Sequence, residues 1–83
     1  MTFTIYAVKD EMTGRFMEPQ YYRSEEEAIR NFTYQVNNIH IWKDNPADWS
    51  LYELGEFSED EGFLFDTICM KKVMGGRSVL KGE

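Results

Sequence analysis

The stretch Ser24-Glu25-Glu26-Glu27-Ala28-Ile29-Arg30-Asn31-Phe32 decides the fold of this chain, because it states where a helix begins. Ser24 is a preferred helix N-cap residue, since its hydroxyl can accept a hydrogen bond from a free backbone N–H of the first turn. Glu27, three positions later, completes a capping box. The acidic residues of this turn also favour the positive end of the helix dipole. The sequence therefore predicts a helix that begins directly after Ser24.

The continuation of this stretch predicts which side of the helix faces the core. Ile29, Phe32 and Val36 follow one another at spacings of three and four residues, with Ile39 three positions further on. This spacing places the apolar side chains on a single helical stripe. Asn37-Asn38 is a plausible end of the helix, and residues 39–48 are predicted to form a connection.

Two strands are predicted before the helix. Phe3–Val8 is rich in β-branched and aromatic residues, and Phe16–Tyr22 returns after a turn at Thr13-Gly14. Pro19 cannot donate a hydrogen bond to a sheet. The second strand is therefore predicted to lie at a sheet edge or to be broken at this proline.

Two further strands, Trp49–Phe57 and Phe63–Cys69, are predicted after the helix, joined by the acidic turn at residues 58–62. The order β-β-α-β-β predicts a small α+β domain, with an antiparallel sheet of about four strands and one helix packed on one face. We assign residues 1–69 to this domain and residues 70–83 to a basic C-terminal tail.

One helix covers only one face of such a sheet, although both faces carry apolar residues. We place Phe3, Ile5, Leu51 and Phe57 on the covered face. The opposite face is predicted to be uncovered and to carry Tyr6, Val8, Tyr52 and Leu54. An exposed apolar and aromatic surface of this kind is a candidate interface.

The charge distribution limits the kinds of partner. The net charge of the 83 residues is −6, which argues against coating nucleic acid through bulk positive charge. Residues 1–69 carry five basic and fourteen acidic residues, whereas residues 70–83 carry four basic residues and one acidic residue. A basic tail is thus predicted to follow an acidic body.

Catalytic, metal and cofactor sites have no support in the motifs. Cys69 is the single cysteine and His40 the single histidine, so neither a disulfide framework nor a multi-cysteine zinc site is expected. Gly75-Gly76-Arg77 matches neither a dinucleotide fingerprint nor a P-loop. We expect a protein without enzymatic activity, metal or cofactor. With no run of about 18 apolar residues, no membrane span is expected either.

Single-stranded nucleic acid is a candidate ligand, because aromatic platforms combined with basic groups hold it. Tyr6, Tyr21, Tyr22, Trp49 and Tyr52 can supply stacking surfaces. The alternative is that these aromatic residues fill the core and a dimer interface, and composition by itself favours that alternative.

Several segments together resemble a known family. Ile5–Asp10, Ala28–Phe32 with Val36-Asn37, and Pro46–Asp48 leading into Leu51–Phe57 occur in an order that resembles the small nonstructural protein of microviruses, most closely its gokushovirus branch. The resemblance implies a non-capsid accessory factor made in the host bacterial cytoplasm. It further implies a role in the synthesis or packaging of a single-stranded DNA genome, and it provides no catalytic residues.

Two hypotheses of different classes follow. The first is a protein that binds single-stranded DNA through the predicted site residues Arg15, Arg23, Arg30, Lys71, Lys72, Arg77, Tyr6 and Tyr52. The second is a protein-interaction module that forms a homodimer through the uncovered sheet face and contacts a phage or host replication protein.

Overall fold

The computed structural model describes residues 2–79, with side chains described for residues 3–62 and 71–79. The strands are β1 (Thr2–Asp10), β2 (Arg15–Phe16), β3 (Gln20–Tyr22), β4 (Trp49–Ser58) and β5 (Phe63–Gly75). The helices are α1 (Glu25–Asn38) and the short α2 (His40–Asp44), and 3-10 turns span Pro46–Asp48 and Gly76–Ser78. The predicted α+β class is confirmed, since residues 2–79 form one antiparallel sheet and one main helix.

The N-terminus of α1 has the predicted cap. The backbone N–H of Glu27 donates to the Ser24 hydroxyl oxygen at 3.3 Å. Phe32 and Val36 of the predicted stripe are buried together with Ala28, and Ile29 packs partly against them, so this is the side of α1 that packs on the sheet. Ile39, which we placed on the same stripe, is the C-cap residue and is 37% exposed.

The segment after α1 is more ordered than predicted. Residues 40–44 form α2 rather than a plain connection, and this helix carries Trp42 into the core. The Trp42 ring stacks on Trp49 with 4.6 Å between the ring centroids. Burial of a large ring stabilises a helix too short to form from local propensity alone.

The sheet has the order β2-β1-β4-β5, and β3 pairs with β1 as well. Both β2 and β3 are antiparallel to β1, and residues 17–19 separate them. The predicted interruption at Pro19 is therefore confirmed. The strand order, which the sequence did not specify, places β1 and β4 in the centre.

Strand β5 is longer than predicted. It continues past Cys69 to Gly75, with Ser50 paired to Gly75 and Tyr52 paired to Lys72. Residues 70–75, which we assigned to the tail, therefore belong to the sheet. The charged pair Lys71-Lys72 gave no indication in the sequence that the strand continues. The following Val73 and Met74 nevertheless pack against the core. Residues 80–83, including Lys81, lie outside the described residues.

In β1, the helix covers the face opposite to the one we predicted, whereas in β4 Leu51 lies on the covered face and Tyr52 on the uncovered face, as predicted. Tyr6, Val8 and Leu51 join the α1 stripe, Trp42 and Trp49 in the buried cluster. Tyr6 is only 3% exposed, so its placement on the uncovered face was wrong, as was that of Val8. The pairing between β1 and β4 shifts at the bulge, where Ile5 pairs with Gly55 but Tyr6 pairs with Glu53.

This bulge explains why Leu51 and Phe57 do not share a face. They are six residues apart in β4, so a regular strand would point both the same way. The extra residue at the bulge inverts the alternation. Leu51 therefore pairs with Val8 beneath α1, whereas Phe57 pairs with Phe3 on the opposite side.

Candidate functional site

We call the side of the sheet opposite α1 the open face. Directly paired residues in antiparallel strands share a face, and the register links Ala7 with Tyr52, Lys9 with Phe16, Ile5 with Tyr21 and Phe3 with Phe57. None of these residues belongs to the cluster beneath α1. Among the described side chains, the open face includes five aromatic and three basic residues: Phe3, Phe16, Tyr21, Tyr52, Phe57, Lys9, Arg23 and Lys72.

One end of the open face holds a cation between two rings, which we call the Lys9 cluster. Phe16 and Tyr52 meet edge to face, with 5.5 Å between their centroids. The Lys9 ammonium lies 5.6 Å from the centroid of each ring. Both distances are within the range of cation–π attraction.

The other end holds a second group, the Arg23 cluster. The Arg23 guanidinium lies 5.1 Å from the centroid of Phe3. Tyr21 and Phe57 contact each other with 5.8 Å between centroids, and Tyr21 remains 58% exposed. Phe3 and Lys9 are six residues apart on β1, so the two clusters are separated by about 20 Å along the strand.

The floor between the clusters is apolar. Ile5 and Ala7 are buried, at 9% and 3% exposure, without being part of the cluster beneath α1. Their paired neighbours Tyr21 and Tyr52 flank them on the adjacent strands. The open face is thus a continuous aromatic and aliphatic surface with a cation at each end.

Glu11 places one negative charge beside the Lys9 cluster. The Tyr52 hydroxyl donates to Glu11 Oε2 at 3.2 Å, and Lys9 Nζ lies 3.6 Å from Oε1. A hydrogen bond from the Ser50 hydroxyl is the main cause that lowers the pKa of Glu11, and Tyr52, Lys9 and Lys72 act in the same direction. Burial and the Glu11 carboxylate raise the pKa of Tyr52.

Three of the predicted site residues lie on the open face, with Tyr52 and Lys72 at the end of the Lys9 cluster and Arg23 at the other end. Tyr6 is buried beneath α1 and cannot stack on a base, so this prediction is corrected. Lys71 neighbours Lys72 in β5, and alternation turns it to the α1 side.

The remaining predicted basic residues do not join the open face. Arg15 precedes Phe16 in β2 and pairs with Asp10, so alternation also turns it to the α1 side. Arg30 lies on the outer surface of α1, beside Thr33 and Tyr34. Arg77 is exposed in the 3-10 turn after β5.

Sequence reasoning missed Phe3, Lys9, Phe16 and Phe57 as members of this surface. The alternation of side chains along β1 could have identified two of them, because Phe3 and Lys9 are six residues apart and therefore point to the same face of the sheet. That signal becomes useful only once the side covered by α1 is known. Tyr22 and Trp49, which we considered as stacking residues, instead pack in or against the core.

The α1 side of the sheet has a partly enclosed pocket of about 170 Å³. Tyr6, Tyr22, Phe32 and Trp42 line it, together with Glu18 and Gln35.

The described residues include no group of three or more His, Cys, Asp or Glu side chains arranged to hold a metal ion. His40 Nε2 lies 3.1 Å from Asp44 Oδ2, as a pair one turn apart on α2. In the part of the chain that the structure describes, no helix has the length and apolarity needed to span a membrane.

Comparison with known proteins gives one family. The model of a family described as Phage ORF5 protein matches residues 3–79, a range that includes both clusters of the open face. No curated protein and no solved structure shows a significant match.

Proposed function

The chain belongs to the Phage ORF5 protein family, and from this premise we propose that it is a phage accessory protein, without catalytic activity, that binds single-stranded DNA through the open face. The finer assignment that we propose is the nonstructural protein of microviruses. Its place would be the host bacterial cytoplasm, and it would serve the synthesis or packaging of the single-stranded genome without entering the capsid.

The observation that supports DNA as the ligand is the combination of rings and cations on one side of the sheet. Unpaired bases stack on aromatic side chains whatever their sequence, and basic residues beside the rings attract the phosphates. Among the described rings of the open face, Tyr21 is the most accessible. Lys9, Arg23 and Lys72 lie along the same surface, so a strand of DNA can meet rings and cations in turn.

The charge of the protein predicts how this binding depends on salt. The whole chain carries a net charge of −6, so the attraction must come from the local cations of the open face. Each phosphate neutralised on a single strand contributes about −0.7 to the slope of log affinity against log salt concentration. Three cations therefore give a slope of at most about −2. Binding is therefore expected to be weak and to be visible mainly at low salt.

Fluorescence anisotropy of a labelled oligothymidine tests the proposal. Tyr21→Ala removes a ring that is 58% exposed from the open face, and Tyr34→Ala removes a ring that is 67% exposed from the outer surface of α1 as a matched control. Base stacking accounts for about 1–3 kcal/mol per ring, so Tyr21→Ala is expected to weaken binding by about tenfold or more. Tyr34→Ala should leave the affinity unchanged. The proposal fails if the wild-type protein shows no binding at about 100 μM in low salt, a concentration typical of non-specific affinities.

A second candidate occupant of the open face is another copy of this chain. Neither described helix packs on this side, and an exposed aromatic surface is typical of protein interfaces. Under this second candidate function, the protein is a homodimeric interaction module that contacts a phage or host replication protein. Sedimentation equilibrium at high concentration tests it, because a monomer of 9.8 kDa would contradict the dimer.

The two candidates are separable because they use the same rings. If Tyr21→Ala converts a dimer to a monomer and leaves DNA affinity unchanged, the interaction module replaces the DNA-binding protein. If it weakens DNA binding while the wild-type protein is monomeric, the first candidate stands.

A further inference from the structure

The open face contains an acidic group where a DNA-binding surface would be expected to be purely basic. Glu11 directly follows β1, and its backbone N–H donates to the Asp48 carbonyl oxygen at 2.7 Å, which anchors this residue at the end of the sheet. Its side chain is 31% exposed, so solvent and a ligand can reach it. The carboxylate therefore stays beside the Lys9 cluster.

The groups around this carboxylate are those that bind a phosphate. Its oxygens contact the Lys9 ammonium and the Tyr52 hydroxyl, and the Ser50 hydroxyl also hydrogen-bonds to it. Lys72, across the strand pair from Tyr52, adds a second positive charge. Lysine, serine and tyrosine side chains are common phosphate ligands in protein–DNA contacts. The Lys9 cluster thus contains an anion subsite that an internal anion already occupies.

We propose that Glu11 is an internal competitor of DNA phosphate, which occupies the anion subsite formed by Lys9, Ser50, Tyr52 and Lys72 and must be displaced before a phosphate can bind there. This inference rests on the proposed function, because it assigns the subsite to the same DNA strand that stacks on the open face. Glu11 then limits affinity, and it restricts occupation of the subsite to ligands that offer a phosphate together with a base to stack.

Displacement requires only modest free energy. The ion pair between Lys9 and Glu11 is partly exposed, with 26% and 31% of the two side chains accessible. Exposed pairs of this kind contribute little to stability, so a phosphate that brings additional stacking can replace the carboxylate.

The test compares Glu11→Gln with Glu26→Gln. Both substitutions remove one negative charge, but Glu26 is an exposed residue of the first turn of α1, on the other side of the sheet. Glu11→Gln is expected to strengthen oligothymidine binding about three- to fivefold, the effect of releasing an exposed ion pair, and to make the salt slope steeper by about 0.7. Glu26→Gln should change affinity much less. Thermal unfolding of both variants confirms that they are folded, and Glu11→Ala provides a second variant if the glutamine form is unstable.

Inorganic phosphate provides a measurement that does not depend on DNA binding. In Glu11→Gln, phosphate should produce saturable NMR shifts at the amides of Lys9 and Tyr52, and the wild-type protein should show none. Equal effects of Glu11→Gln and Glu26→Gln on DNA affinity would overturn the inference, as would weaker binding by Glu11→Gln alone. If no variant binds DNA, the proposed function fails, and the phosphate titration still decides whether the subsite exists.

Discussion

The two faces of the sheet both carry aromatic residues, but these residues have different roles on each face. Beneath α1, the rings of Tyr6, Phe32 and Trp42 are at most 3% exposed. On the open face, the rings of Phe16 and Tyr52 lie beside the Lys9 cation and remain half-buried. Aromatic content therefore does not reveal function in this chain. The cover provided by one helix decides which rings stabilise the fold and which can meet a ligand.

The largest effect is expected from truncating a ring of the covered face. Phe32 is 1% exposed, and Phe32→Ala should lower the free energy of unfolding by about 3–5 kcal/mol, because it leaves a cavity in the core. Phe57→Ala removes the same ring from the half-buried open face and should cost clearly less. Urea denaturation measures both variants. Equal losses would show that the two faces are packed alike.

A smaller loss is expected where the chain closes the covered face after β5. A Cβ atom at Gly76 would collide with the carbonyl oxygen of Pro46, whereas one at Gly75 would meet no atom within 4 Å. Gly76→Ala should therefore lower the free energy of unfolding by about 1–3 kcal/mol, the usual cost of overpacking. Gly75→Ala is the matched control and should have little effect. Comparable melting temperatures for the two variants would contradict the close contact at Gly76.

The cations of the two faces should differ in their effect on DNA binding. Lys9→Gln removes the charge between Phe16 and Tyr52, and Lys43→Gln removes an exposed charge from α2. Under the proposed function, Lys9→Gln weakens oligothymidine binding several-fold and makes the salt slope shallower by at most about 0.7. Lys43→Gln should leave the slope unchanged. Anisotropy titrations at several salt concentrations give the slope of log affinity against log salt concentration for each variant. Identical slopes for the two variants would show that Lys9 does not contact DNA.

The smallest effect concerns the dependence of stability on pH. The pKa of Glu11 lies below its ordinary value of 4.5 in the folded protein, chiefly through the Ser50 hydrogen bond and also through Tyr52, Lys9 and Lys72. A carboxyl group with a depressed folded pKa contributes stability above its unfolded pKa, and this contribution is lost as the pH falls through the folded value.

The wild-type protein should therefore lose its stability advantage over Glu11→Gln as the pH falls below about 4.5. Urea midpoints measured for both proteins between pH 7 and pH 3 test this difference, since the other carboxyl groups titrate alike in both. A constant difference across the range would show that the Glu11 contacts do not stabilise the folded state.

The local elements were predictable because short-range chemistry determines them. The capping box at Ser24 and the apolar stripe of α1 require contacts only within one or two helical turns. The break at Pro19 follows from a missing backbone donor. By contrast, α2 depends on burial of Trp42 in the core, and the end of β5 depends on packing of Val73 against the core. No local sequence pattern predicts either contact.

The candidate site was only partly predictable for the same reason. An uncovered aromatic face was expected, and Tyr52, Arg23 and Lys72 were among the predicted residues. The remaining members depended on which side of β1 faces α1, and that strand carries apolar residues on both sides. Glu11 and Tyr52 are 41 positions apart in the sequence and form a hydrogen bond in the structure. Only the strand register shows that they are neighbours.

The sequence by itself determined the α+β class, the start and core-facing side of α1, the interruption at Pro19 and the absence of a recognisable catalytic motif. Only the tertiary structure decided which side of the sheet became the open face. The physical reason is that β1 carries apolar residues on both sides, so that its alternation does not identify the covered side. The bulge between β1 and β4, where Ile5 pairs with Gly55 and Tyr6 with Glu53, then decides which residues of β4 share that side. This one-residue shift inverts the alternation of β4, so that Leu51 joins the core while Phe57 joins the open face.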